Sequence, residues 1–270
     1  MKRVTFPIIV MVVTGLLALV PFRYLRTVSA EPRLIADATT RTPVLVELFT
    51  SEGCSDCPPA DALLQKLDRS QPVPNTQLVV LSEHVDYWND IGWKDPYSSH
   101  EFSTRQGDYA HRFRLDSAYT PQMVVDGDAQ FVGSDERRAF LALEGAAKAE
   151  KIRVALSSVH LEGNTVIAHV ESGALPSLTS SKSANVLLAL ADDSDQSNVR
   201  GGENAGRTLT HVAVLRSLTQ VGTIGRGGAF SGEVKVSSAN ANPRNLRVVA
   251  IVQEMATGRV LGVDSLQLSN

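Results

Sequence analysis

The chain contains two cysteines, Cys54 and Cys57, in "ELFTSEGCSDCPPADALL" (residues 47–64). A C-x-x-C pair between a strand-like run and a helix start places the first sulfur where outward-pointing helix N–H groups and the helix dipole favour an anion. Cys54 is therefore expected to attack and Cys57, one turn deeper, to resolve the mixed disulfide. The acidic neighbours Glu52, Asp56 and Asp61 oppose that anion. Two other uses stay open. A structural zinc takes four ligands, and no second cysteine pair exists to supply them. A purely structural disulfide would close a very small loop and constrain the unfolded chain little.

The elements around the pair follow from periodicity. "PVLVELF" (43–49) is a mostly apolar, β-rich run suited to a central strand, and "PPADALLQKLDR" places Ala60, Leu63, Leu64 and Leu67 on one helical face. Pro58 and Pro59 suit a helix start, where no N–H is needed. A second strand runs from Thr76 into a loop, and residues 100–113 and 134–150 read as helices, the latter capped by Ser134. Asp126-Gly127 joins two short strands as a hairpin. After Ile152 the texture changes to short alternating or apolar runs separated by Gly, Asn and Ser, the pattern of an antiparallel sandwich. The expected organisation is residues 43–150 as one α/β domain and 152–270 as an all-β sandwich, with a boundary near Lys151.

The chain has 270 residues and a net charge of −3. Without Lys2, Arg3, Arg23 and Arg26, 22 basic residues face 29 acidic ones, a net charge of −7. No basic run follows the N-terminus, so nucleic acid is not an expected partner. The first 30 residues, a basic start, an apolar run and Val28-Ser29-Ala30, read as a cleavable export signal. An uncleaved anchor over Val4–Phe22 is the alternative and would be the chain's one membrane contact. Residues 31–42 read as a linker. Both readings give a periplasmic, secreted or membrane-tethered protein, where a disulfide persists.

Strand, C-x-x-C, helix, strand, helix, X-Pro, hairpin and helix together resemble the thioredoxin fold. The resemblance implies a cis-proline at Thr120-Pro121 facing the cysteines and lining a partner groove. It also implies a buried carboxylate behind them, for which Glu47, the lone charge in "VLVELF", stands within one residue of the expected place. Glu47 would then exchange a proton with Cys57. Gly53 stands where thioredoxins usually carry a tryptophan. "VELFTSEGCSDCPPAD", "HVDYWNDIGWKDPYSS", "RQGDYAHRF", "YTPQMVVDG" and "GGENAGRTLTHVAVLR" resemble a bacterial family of secreted thioredoxin-like proteins catalogued as a domain of unknown function, DUF1223, over nearly the whole mature chain.

Two polar clusters remain. His84, Asp86, Tyr87 and Trp88 follow the second strand, at the end of the sheet where the cysteines sit. His84 would tune a cysteine, hold copper(I) with Cys54 and Cys57, or simply belong to a loop stapled by Trp88 and Trp93. Glu203, Asn204, Arg207 and His211, in a glycine-rich stretch, read as turn residues on a solvent face, a docking contact to the cysteine domain, or a surface site. The expected function is thiol–disulfide exchange with a protein or small-thiol partner. The disulfide itself would be the redox group, with no organic cofactor and no metal. A copper- or zinc-handling protein and a non-catalytic interaction module with a structural disulfide are the alternatives.

Overall fold

The strand ahead of the cysteines, β1 (Thr42–Thr50), is buried on both faces from Val44 onward, as a central strand must be. The structure, a computed structural model, describes residues 1, 41–176, 182–238 and 240–268. The expected signal or anchor and nearly all of the linker lie outside the described residues.

β1 leads through the cysteine loop into α1 (Pro58–Ser70), which starts on proline and ends at Gln71 in the left-handed conformation, φ 44°. β2 (Thr76–His84) pairs with β1 in parallel. α2 (His100–Arg112) is capped by Ser99, whose hydroxyl accepts from Glu101 N at 3.2 Å. β3 (Gln122–Val125) and β4 (Ala129–Val132) form the expected hairpin, with Asp126 and Gly127 both at positive φ. α3 (Glu136–Ala146) follows. Its cap is Asp135, which accepts from Arg138 N at 2.9 Å, rather than Ser134. The Thr120-Pro121 peptide is cis.

The remaining strands are β5 (Val154–Glu162), β6 (Thr165–Ser172), β7 (Ser183–Asn198), β8 (Thr208–Gly225), β9 (Ser231–Ser237), β10 (Leu246–Glu254) and β11 (Val260–Leu268). They do not build the separate sandwich domain expected from the sequence. β7, β8, β10 and β11 join β1–β4 in one mixed eight-stranded sheet, ordered β11-β10-β7-β8-β2-β1-β3-β4. β5, β6 and β9 form a small second sheet. The expected thioredoxin-like α/β domain followed by a β-sandwich is thereby overturned. The described residues from 41 onward belong to one compact unit, and its sheet runs straight past the expected boundary near Lys151.

The physical reason lies at the free edge of β2. β8 pairs with it in parallel, Ser82 opposite Val214, so the sheet continues instead of ending. Apolar side chains follow across the junction. Leu45, Val79, Leu81 and Phe102 of the helical half share one core with Leu187, Ala191, Leu215, Val249 and Ile251. On the other face, α1 and α3 cover Val44, Val46, Leu48, Leu78 and Val80. The small sheet covers Val186, Leu188, Val248 and Ala250 of β7 and β10. The continuous apolar runs "NVLLALA" and "LRVVAIV" are strands buried on both faces, which a sheet shared between halves requires.

Candidate functional site

Cys54 and Cys57 form a disulfide with a Cα–Cα distance of 5.4 Å. Cys57 is the residue preceding α1, and its carbonyl accepts from Ala60 N and Asp61 N at 2.9 and 3.1 Å. Pro58 and Pro59 have no N–H, so α1 opens with fewer outward donors than the C-x-x-C spacing implies. Both cysteines are buried, Cys54 being 1% exposed and Cys57 0%.

Their cover comes from the far half of the chain. The strap joining β7 to β8, residues 199–207, folds back over the cysteine loop. Asn204, itself 1% exposed, donates through Nδ2 to Glu52 O at 2.9 Å and Cys54 O at 2.8 Å. Ser55 N donates to the Glu203 carboxylate at 2.9 Å. Arg207 donates to Asn204 Oδ1 at 2.8 Å, holding the amide in this orientation. Gly201 lets the strap descend, because a Cβ there would lie 2.1 Å from Gly92 O. Gly53 has a similar role, since a Cβ on it would meet Trp88 Cβ at 3.1 Å. The docking reading of Glu203, Asn204 and Arg207 thus describes what they do.

Beneath the loop lies a buried group of ionisable side chains. Glu52 accepts from Trp93 Nε1 at 2.8 Å and from the Ser197 hydroxyl, and lies 3.2 Å from His211 Nε2. His211 Nδ1 stands 3.8 Å from the Asp61 carboxylate, and Asp61 accepts from Thr50 Oγ1 at 2.9 Å. His84 Nδ1 pairs with Asp95 at 2.7 Å, and the His84 and His211 rings meet edge to face at 4.6 Å. Burial opposes charge on His84, but the Asp95 carboxylate, with Asp61 and Glu52 beyond it, outweighs that and raises its pKa. Asp95 is burdened by burial too, and the imidazole lowers its pKa. Stability from the raised His84 pKa is lost as pH rises through it, and that from Asp95 is lost as pH falls through its depressed value. Asp61 goes the other way: burial raises its pKa despite both histidines and Thr50.

Glu47 is not brought to this cluster. Val44, Val46, Leu48 and Thr50 face α1, so alternation turns Glu47 to the α2 face. There, 0% exposed, it accepts from Arg105 Nε and Tyr109 OH, both at 2.7 Å. Arg105 also donates to Gln253 Oε1 at 3.1 Å and Tyr109 OH at 3.2 Å, tying α2 to β10. Glu83, buried on the same face, has no hydrogen-bond partner for either oxygen; the Arg105 Nε lies 3.6 Å away. Burial, then the charge of Glu47, pushes its proton affinity well above the carboxylate range. The folded chain therefore holds this proton more tightly than the unfolded chain, and stability falls as pH rises through that window. Glu83→Gln, a neutral substitute, is expected to stabilise the protein at neutral pH by on the order of 1 kcal/mol and to flatten its pH dependence. Urea unfolding at about pH 5 and about pH 8 checks this; a destabilised, unflattened variant would refute it.

The other expected residues divide. Trp88 Nε1 donates to Thr120 Oγ1 at 2.8 Å, which binds the second-strand loop to the Thr120-Pro121 loop. Pro121 packs near Leu48 and the first-turn residue Ala60, all three lying against Gly133. Asp86 instead serves α2, accepting from Ser103 Oγ and lying 3.3 Å from His100 Nδ1. Among the described residues no group of three or more His, Cys, Asp and Glu is arranged to hold a metal. Sequence reasoning missed Asp61, Glu52 and Asp95 as site members and Arg105 as the partner of Glu47. A lone acid inside the apolar stripe of α1 was the available signal for Asp61. A lone acid in an apolar strand was the signal that a buried cation must exist.

The fold and site define a mixed β-sheet protein carrying a shielded C-x-x-C disulfide beside a helix start. The chain belongs to the family described as protein of unknown function, DUF1223, which matches residues 45–253. A structural-genomics protein from Agrobacterium tumefaciens is 26% identical, with a TM-score of 0.65 over 85% of this chain and 96% of that one. HBP35 of Porphyromonas gingivalis shares the fold at 13% identity, with a TM-score of 0.56 over 84% of this chain and 76% of that one. No curated protein matches the chain. Among the described residues no helix is long and apolar enough to cross a membrane.

Proposed function

We propose that the chain is an exported thiol–disulfide exchange protein, in which Cys54 receives the attack of a protein or small-molecule thiol and Cys57 is the leaving and resolving sulfur. The observation that carries this reading is the placement of the disulfide at the start of α1, directly above buried carboxyl and imidazole groups. A staple closing so small a loop contributes little to stability. Burying Glu52, Asp61, His84, Asp95 and His211 around it costs desolvation that a mere staple does not need. Trp88 and Thr120, joined beside Pro121, would form one wall of the partner contact.

The burial of both sulfurs favours a second reading, a structural disulfide in a non-catalytic interaction module. A redox titration with alkylation and mass measurement separates the two. Exchange predicts a reduction potential more oxidising than about −300 mV, with Cys54 alkylated before Cys57. A potential below about −300 mV, with both sulfurs inert in the folded protein, would establish the structural reading.

A further inference from the structure

We propose that Asp61 and His211 form a proton route to Cys57, opening on the surface groove beside His211. This rests on the exchange reading above. Cys57 is fully buried, so a thiolate left there when the disulfide opens is an anion without solvent. The nearest acid along the helix is Asp61, 6% exposed, whose N–H donates to the Cys57 carbonyl. Residues four apart on a helix share a face, with Cβ atoms about 5–6 Å apart. Burial raises the Asp61 pKa above its ordinary value against the pull of His211, His84 and Thr50, a shift in the direction that favours a proton donor.

His211 supplies the next link. Its Nδ1 is buried without a hydrogen-bond partner and stands 3.8 Å from Asp61 Oδ2. His211 is also among the residues that line a groove of about 230 Å³, with Gln65, Asp68, Arg69 and Thr210. The groups that face this pair are Thr50 of β1, Glu52 of the cysteine loop, His84 of β2, Asp95 and Tyr97 of the loop after it, and Asp195 of β7. Glu47 is absent from that set because it lies on the opposite face of the sheet.

The step balances as follows. A thiolate RS⁻ attacks Cys54 Sγ, the Cys54–Cys57 bond breaks, and its electron pair leaves on Cys57 Sγ. That sulfur takes the Asp61 proton. The Asp61 carboxylate is reprotonated from the groove through His211. A second thiolate then attacks the external sulfur of the mixed disulfide, releasing RSSR and Cys54, which takes a proton from solvent. The protein gains two electrons and two protons, and two thiols become one disulfide.

The test compares wild type, Asp61→Asn and His211→Gln in the pH profile of disulfide reduction by dithiothreitol. It also records the Asp61 carboxyl titration by NMR in His211→Gln and in the oxidised and reduced wild-type protein. Asp61→Asn is expected to slow exchange on the order of 100-fold near neutrality and to change the shape of the profile. His211→Gln should slow exchange while Asp61 still titrates. In wild type the Asp61 titration should move when the disulfide opens, because coupling between the two groups is mutual. Superposable profiles, with an Asp61 titration identical in both redox states, would overturn the route. A folded wild type that exchanges with no thiol would instead overturn the exchange reading; the Asp61 titration in protein reduced during refolding then decides the coupling alone.

Discussion

Arg105→Ala is expected to lower the free energy of unfolding by about 3–5 kcal/mol, the cost of leaving a buried charge without its partner. The Arg105 side chain is 12% exposed, Glu47 is fully buried, and the guanidinium reaches Glu47, Tyr109 and Gln253 at once. Its loss strands the Glu47 carboxylate beside Glu83 and cuts the link from α2 to β10. For a chain of this size the midpoint of thermal unfolding should fall by roughly 10 °C. Arg105→Lys should recover little, because an ammonium cannot reproduce a three-way fork. Adding Glu47→Gln to Arg105→Ala should recover a substantial part, since the stranded charge is gone. Chemical denaturation of the single and double variants measures all of this. A loss below about 1 kcal/mol for Arg105→Ala would show that the stranded charge is relieved another way.

Asn204→Ala acts on the other face and at the disulfide. Removing the amide leaves the Glu52 carbonyl without its donor and the Cys54 carbonyl with Cys57 N alone, at 3.2 Å, under a strap that still excludes water. The expected cost is about 1–3 kcal/mol, borne by the closed strap rather than by the sheet. Because the sulfurs are buried, a thiol reaches them only through a minor open state, and the population of that state sets the rate. The disulfide should therefore be reduced about 10- to 100-fold faster in the variant, the same free energy expressed as an opening equilibrium. Rates of reduction by a small thiol, measured beside urea unfolding, test the link. Unfolding that weakens while the reduction rate stays the same would show that residues 199–207 do not gate the sulfurs.

Both predictions depend on contacts between residues far apart in the chain, and these were the least legible in the sequence. The docking of Glu203 and Asn204 was one of three readings of a glycine-rich stretch. The Glu47 error is one of parity. A carboxylate within one residue of the expected place sounds close, yet successive residues of a strand point to opposite faces. That single step turned Glu47 from the disulfide to Arg105. Asp61 was read only as a negative neighbour of the cysteines, although its spacing from Cys57 already placed it on their face of α1.

By itself, the sequence determined the local pieces: the strand, C-x-x-C and helix in succession, the apolar stripe of α1, and the Asp126-Gly127 turn. Such signals are carried by residues a few positions apart and need no partner elsewhere. The tertiary structure alone decided that β8 takes the free edge of β2, that one core crosses residue 151, and that the β7–β8 strap closes over the sulfurs. An unpaired strand edge accepts any strand of compatible register. Which one arrives depends on burying both faces of β7 and β10 at once, a condition of the whole packed chain that no local pattern contains.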